Sequence, residues 1–293
     1  MDSTANLISH SSTSINTSTI FANIEKLLSP TLPKNILKKM ASELFSSNLG
    51  KFLLENKGLN GYWTSYAITG GLKQDDLSEI EYWMIHKSPL VLATRERFHI
   101  FQEAIQNKLK DNMIIASLPC GLMDDLLTLD YSQVHNIHLV GIDLDNDSLG
   151  MAKHNAQIKN LTNVDFLQAD AWQLNINNEF DIITSNGLNI YEPQYKKILA
   201  LYQSLNQSLK PGGTLITSFL TPPPSLTLDS PWTNYVAEDL IKQKAIFADI
   251  IGTAWQNFTL EIDFIKLLET VGFTNINITY DKQRMFPTII ATK

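Results

Sequence analysis

Met113-Ile114-Ile115-Ala116-Ser117-Leu118-Pro119-Cys120-Gly121-Leu122-Met123-Asp124-Asp125-Leu126-Leu127, joined by a short polar link to Ile137-His138-Leu139-Val140-Gly141-Ile142-Asp143, decides how this chain folds. Met113–Leu118 is a short apolar run suited to a buried strand. Pro119 ends it, because proline lacks the N–H that a central strand donates. Gly121 gives a turn without a side chain, where backbone can approach a ligand closely. Asp124–Leu129 can start a helix, with acids in the first turn where the helix dipole favours them. Ile137–Ile142 predicts a second strand, with Asp143 at its carboxyl end. A strand, a glycine turn, a helix, a second strand and an acid about 20 residues on form the nucleoside-binding half of a doubly wound sheet. The acid accepts hydrogen bonds from the two ribose hydroxyls.

A dinucleotide site asks for G-x-G-x-x-G, so that backbone can reach the pyrophosphate. Here Pro119 and Met123 stand around Gly121, and a pyrophosphate would meet a proline and a large side chain. A nucleoside without phosphate asks for one close approach, at Gly121. That points to S-adenosylmethionine (SAM) rather than NAD. On these residues the chain resembles the class I SAM-dependent methyltransferases, through their motifs I and II. Motif I is usually an acid, an apolar residue, then Gly-x-Gly-x-Gly. In this chain Ser117 replaces the acid, Pro119 the first glycine and Met123 the third, and only Gly121 remains. Motif II is a close match, Val140-Gly141-Ile142-Asp143-Leu144-Asp145 followed by Ser148-Leu149, Ala152 and Asn155. The resemblance implies an α/β fold: a doubly wound, mostly parallel seven-stranded sheet with an antiparallel last strand. It implies cofactor contacts from Pro119, Cys120, Gly121, Asp143 and Leu144.

The chain has 293 residues, enough for one large domain or one domain with a substantial extension. Its net charge is −7 and its pI about 5.4. Nucleic-acid binders usually show a basic face, and beyond Lys38-Lys39 and Lys196-Lys197 there is no Lys/Arg cluster, so a nucleic-acid substrate is disfavoured. The single cysteine, Cys120, excludes an internal disulfide and a cysteine-cluster metal site. Asp143, Asp145 and Asp147 resemble the start of a calcium loop, but its sixth position holds Ser148 and its twelfth His154, so no metal is expected. No apolar run reaches about 18 residues, so no membrane span is expected. The start of the sequence lacks a basic, then apolar, leader pattern, and the cytoplasm is the expected compartment. No residue pattern specifies an oligomeric state.

Residues 1–18 are rich in Ser, Thr and Asn and read as a flexible tail. Residues 19–112 read as a helical extension that caps the substrate, with helices at Ile20–Leu28, Leu32–Phe45 and Leu49–Leu54. Within it, Gly61-Tyr62-Trp63-Thr64-Ser65-Tyr66 either lines a pocket or forms an aromatic helix face packed on the core. Ser88-Pro89 opens another helix, with proline at its first position. Arg95 or Arg97 on that helix can hold the SAM carboxylate, or can pair with Glu96 or Glu103 on a solvated face. His99 reads as structural.

By the same resemblance, residues 113–293 are expected to form the SAM-binding domain. Ser148–Lys159 reads as a helix and Val164–Leu167 as the third strand. By resemblance, Asp170 accepts from the adenine amino group and Ala171 and Trp172 flank the ring, Trp172 either stacking on adenine or capping the core. Phe180–Leu188 is the fourth strand and its exit, which places Ser185, Asn186 and Gly187 between cofactor and substrate. Tyr195–Leu209 reads as a helix, ended by Lys210-Pro211-Gly212-Gly213 before a fifth strand at Thr214–Phe219; that turn is a frequent mark of the family. A lid-like insert covers about 221–258, with Trp232–Phe258 at helical spacing. The chain ends on a helix at Leu260–Val271 and strands at Phe273–Tyr280 and Thr288–Thr292, which resemble the family's closing strand pair.

SAM binding implies methyl transfer, here to a small-molecule or lipid-like acceptor. Tyr66 and Tyr191 are candidate catalytic groups, with His99, Glu192 and Asp249 as further polar groups. Two alternatives stay open. One is a regulatory SAM-binding protein that no longer transfers methyl and binds a partner protein through its helical region. The other is an NAD(P)-dependent oxidoreductase, disfavoured by the missing glycines.

Overall fold

A computed structural model describes residues 16–253 and 257–293, which fall into two compact units. In chain order the helices are α1 (Thr17–Lys26), α2 (Lys34–Phe45), α3 (Asn48–Asn56), α4 (Gly61–Ile68), α5 (Glu79–His86), α6 (Pro89–Gln106), α7 (Asp124–Leu127), α8 (Asn146–Ile158), α9 (Leu188–Tyr191), α10 (Tyr195–Ser208), α11 (Ala237–Lys244) and α12 (Glu261–Thr270). The strands are β1 (Ile114–Ser117), β2 (His138–Asp143), β3 (Val164–Gln168), β4 (Phe180–Ser185), β5 (Leu209–Ser218), β6 (Thr274–Thr279) and β7 (Thr288–Thr292).

One unit joins residues 16–92 to residues 235–253 and is helical. Side-chain caps start its helices: Asn16 accepts from Thr19 N–H, Ser47 from Gly50 N–H, Asn60 from Trp63 N–H and Ser78 from Glu81 N–H. Leu37, Met40, Ala41 and Leu44 form the buried stripe of α2, the i, i+3, i+4, i+7 spacing of one helix face. The division differs from the expected one in two ways. First, the boundary falls after Leu92, inside α6, rather than near residue 112. From Ala93 on, α6 belongs with the sheet, because Phe101 and Ile105 bury against Ile115, Leu139 and Ile182. Second, residues 235–253 are no appendage of the sheet unit. Trp83 Nε1 donates to Asp239 (2.6 Å), Gln243 Oε1 accepts from Leu90 N–H (2.7 Å) and Ser88 Oγ (3.2 Å), and Asp249 accepts from Thr31 N–H (2.6 Å). The segment is not one regular helix either: α11 passes into a π-helical turn, Ala245–Ile251, closed by Gly252 in the left-handed region (φ 63°). Of the expected tail, residues 1–15 lie outside the described residues, and Asn16, Thr17 and Ser18 cap and open α1.

The other unit holds the sheet, in the order β3-β2-β1-β4-β5-β7-β6, with β1 to β5 parallel and β7 antiparallel to both neighbours. Successive strand residues point to opposite faces. Ala116, Val140, Ile183 and Leu215 pack under α10 and α12, while Ile115, Leu139, Ile182 and Ile216 pack against α6, α7 and α8. Both members of each adjacent pair are buried, which is why these strands read as unbroken apolar runs. Gly212 and Gly213 were expected to end a helix before β5. Instead β5 already begins at Leu209, which pairs with Phe180, and the register shifts before Thr214 pairs with Ile182. Gly212 sits at φ 79°, where the extra residues of this bulge need a left-handed turn.

Candidate functional site

The carboxyl ends of β1 and β2 meet at one carboxylate. Asp143 is 9% exposed; its Oδ2 accepts from Gly121 N–H (2.8 Å) and its Oδ1 from Asp145 N–H (3.0 Å). Cys120 N–H donates to Ile142 C=O (2.8 Å), so the turn after β1 is laced to β2 over its last residues. Burial is the main force raising the Asp143 carboxyl above its ordinary range, opposed by these N–H donors. Ala169 N–H donates to the Asp143 carbonyl (3.0 Å), which brings Asp170 beside the same strand end. Asp170 is half-buried, and its Oδ1 accepts from Trp172 N–H (2.9 Å).

The glycine-poor motif keeps a glycine-like path. Gly121 has φ 50° and Met123 φ 61°. Met123 thus stands in the left-handed region that favours glycine, and its side chain is wholly buried, in a cluster with Leu126, Leu127 and Leu149. The obstruction expected from Met123 is absent, because the side chain goes into the core. Space for it comes from Gly141, where a Cβ would lie 3.1 Å from Met123 Sδ, 3.2 Å from Cys120 Sγ and 3.0 Å from Phe166 Cδ1. Burial pushes the Cys120 thiol far up, with the Asp143 and Asp125 carboxylates adding to it, so it stays protonated and is no nucleophile.

A residue that sequence reading passed over completes the turn. Asp125 was read only as a first-turn acid. Its Oδ2 accepts from Ser117 Oγ (2.9 Å) and from Thr184 Oγ1 (2.6 Å), at the ends of β1 and β4. A carboxylate therefore lies where Ser117 has replaced the acid of motif I, reached from α7 instead of β1. Burial raises its carboxyl, against the two hydroxyl donors. The signal for it was the pairing of a serine in the acid's place with an acid eight residues on.

The remaining expected residues separate. Ser185 is 3% exposed at the end of β4. Half-buried Asn186 accepts from Ser218 Oγ (3.0 Å), which joins the ends of β4 and β5. Trp172 donates Nε1 to Lys197 C=O (2.9 Å) and packs on the core beside buried Ala171, the core-capping arrangement. Leu144 is exposed, and its carbonyl accepts from Gln168 Nε2. Buried Glu192 is held by Lys197 (3.3 Å) and Gln194 N–H. Tyr191, half-buried, ends α9. His99 is exposed, Arg95 is half-buried, and Arg97 is buried against Ser218 and Phe286. Tyr66 and Asp249 belong to the helical unit. There the Tyr66 ring stands edge-on to Trp63 (5.2 Å), as does Tyr62 (5.1 Å), so these aromatics pack on one another. No helix among the described residues is long and apolar enough to cross a membrane.

Comparison with known proteins agrees with this geometry. Residues 109–251 match the family described as methyltransferase domain. A short segment of 56 residues is 45% identical to the release factor glutamine methyltransferase of Francisella tularensis, and spans 19% of this chain and 19% of that protein. The solved structure of a protein from Bordetella parapertussis, described as a possible exported protein, is 37% identical with a TM-score of 0.88, over 95% of this chain and 97% of that one. Magnesium protoporphyrin IX methyltransferase from Synechocystis, solved with S-adenosylhomocysteine, shares the fold at 16% identity and a TM-score of 0.52, over 79% of this chain and 98% of that one. Residues 109–251 thus carry a methyltransferase domain, and the chain shares the fold of SAM-dependent methyltransferases.

Proposed function

We propose that the chain binds SAM across the carboxyl ends of β1, β2 and β3 and transfers its methyl group to a small-molecule or lipid-like acceptor. One observation carries this reading: the Asp143 carboxylate, fixed by Gly121 N–H at 2.8 Å, stands at the end of β2 beside a turn of left-handed backbone. The residues present fit the cofactor. Each Asp143 oxygen has one backbone donor and keeps a lone pair for a ribose hydroxyl. Gly121 carries no side chain against the ligand. Asp170 spends Oδ1 on the Trp172 cap, leaving Oδ2 for the adenine amino group. Asp125 offers a carboxylate toward the amino end of the methionine.

When bound, SAM supplies a methyl group on a positively charged sulfur, and transfer leaves the electron pair of the broken bond on that sulfur. The chain's main task is then placement of the acceptor in line with that bond. Ser185 and Asn186, at the end of β4, are the groups we assign to the boundary between cofactor and acceptor. The acidic chain, net charge −7, disfavours a nucleic-acid acceptor.

Asp125→Asn keeps an oxygen for the Ser117 and Thr184 hydroxyls and removes the charge. It is expected to weaken SAM binding by about tenfold, the loss of one charge-assisted hydrogen bond of ~1.5–3 kcal/mol at the low end of that range. Calorimetry checks this, and an unchanged affinity would return Asp125 to a purely structural role. The activity itself is tested by S-adenosylhomocysteine release across a panel of small hydroxyl, amine and carboxyl acceptors. SAM binding with no release from any acceptor would favour the regulatory binder.

A further inference from the structure

We propose that Arg97 anchors an anionic group of the acceptor, a carboxylate or a phosphate, at the carboxyl ends of β4 and β5; this rests on the methyltransferase reading above. Arg97 is 7% exposed. Among the described residues its one hydrogen bond is a long one, Nη1 to Ser218 Oγ at 3.5 Å, and its buried Nε has no partner there. A guanidinium has five N–H donors and always seeks acceptors for them. No carboxylate is within ion-pair distance of it among the described residues. Asp281 acts on it through its field, without an ion-pair contact, and accepts Phe286 N–H (2.7 Å) on one oxygen and Met285 N–H (3.2 Å) on the other. The guanidinium stacks over the Phe286 ring, 4.4 Å from its centre, which fixes its plane. Burial lowers its pKa to about 10, so it is still charged at neutral pH.

A buried charge with so few partners is costly to keep, and a bidentate oxyanion is the ligand its planar fork matches. Its place selects the acceptor over the cofactor. The ribose is assigned to the end of β2, and Ser218 ends β5, three strands along in the order β2-β1-β4-β5. At the usual strand spacing that is roughly 14 Å from Asp143. Ser218 Oγ also donates to Asn186 Oδ1 (3.0 Å), so Arg97, Ser218 and Asn186 form one polar chain at the rim where doubly wound folds bind ligands.

The test is a thermal-shift titration of the full chain with benzoate, inorganic phosphate and the neutral isostere benzamide, alongside calorimetry with SAM. Benzoate or phosphate, but not benzamide, is expected to give a saturable shift. Arg97→Met is expected to weaken that anion response by about tenfold or more and leave SAM affinity within about twofold, and Arg97→Lys to keep part of the response. A response to benzoate alone identifies a carboxylate acceptor, and one to phosphate alone a phosphate ester. The proposal is overturned if the wild type responds to neither anion, if it responds equally to benzamide, or if Arg97→Met keeps the full response. A parallel loss of SAM affinity would also overturn it, since the arginine would then serve the cofactor's own carboxylate. Should Arg97→Met fail to fold, the wild-type comparison of benzoate with benzamide and the Arg97→Lys titration still decide. Anion binding without SAM binding would mean that the methyltransferase reading had failed and this one had not.

Discussion

Asp143→Ala is expected to weaken SAM binding by about a hundredfold or more while the protein stays folded. The substitution removes two hydrogen bonds from ribose hydroxyls to a charged acceptor, each ~1.5–3 kcal/mol, and about 1.4 kcal/mol is a tenfold change in affinity. It also frees Gly121 N–H, whose bond to Asp143 Oδ2 holds the turn in position. Calorimetry with SAM reads the effect directly, and wild-type affinity in this variant would refute the placement of the ribose. The pH dependence has a definite sign. The Asp143 and Asp125 carboxyls both titrate above their ordinary range, chiefly through burial. Cofactor binding needs them ionised, so affinity is expected to fall as pH drops through those raised values, sooner than for exposed carboxylates. For an acid shifted upward by folding, protonation favours the folded state, so these two groups do not weaken the fold over the same range. Loss of binding as pH falls, without loss of the thermal midpoint, is the expected pattern.

Met123→Gly restores the family's glycine and is expected to destabilise the protein. The backbone gains, because a left-handed conformation costs an ordinary residue roughly 1–2 kcal/mol that glycine escapes. The side chain loses more. Met123 is wholly buried against Cys120 and Gly141, and deleting a buried methionine side chain costs about 2–5 kcal/mol, with glycine losing further chain entropy. The net expectation is a loss of about 1–3 kcal/mol, measured by denaturant unfolding. A variant more stable than wild type would mean that the backbone strain outweighs the packing.

These two positions show what the sequence made legible. The strands were readable because Ile115 and Ala116, Leu139 and Val140, and Ile182 and Ile183 are buried in pairs on opposite faces, and an unbroken apolar run is the local trace of that. Asp143 was readable as a carboxylate at a strand end because it lies a short interval from Gly121, whose N–H it accepts. Other features depended on contacts that no interval encodes. Gln243 reaches Leu90, and Asp249 reaches Thr31 across 218 positions, so helical periodicity in residues 235–253 could not show which unit they complete. Asp125 looked like a helix-opening acid, and only the approach of Ser117 and Thr184 gives it the missing carboxylate's place. Arg95 and Arg97 were indistinguishable on paper, because burial, not spacing, separates them.

This turn is expected to serve a nucleoside cofactor without a phosphate. Parallel calorimetric titrations of the full chain with SAM and with NADH test it most directly. Micromolar SAM binding with no heat from NADH is expected. NADH binding, or no binding of SAM, would contradict it and assign the carboxylate at the end of β2 to another use.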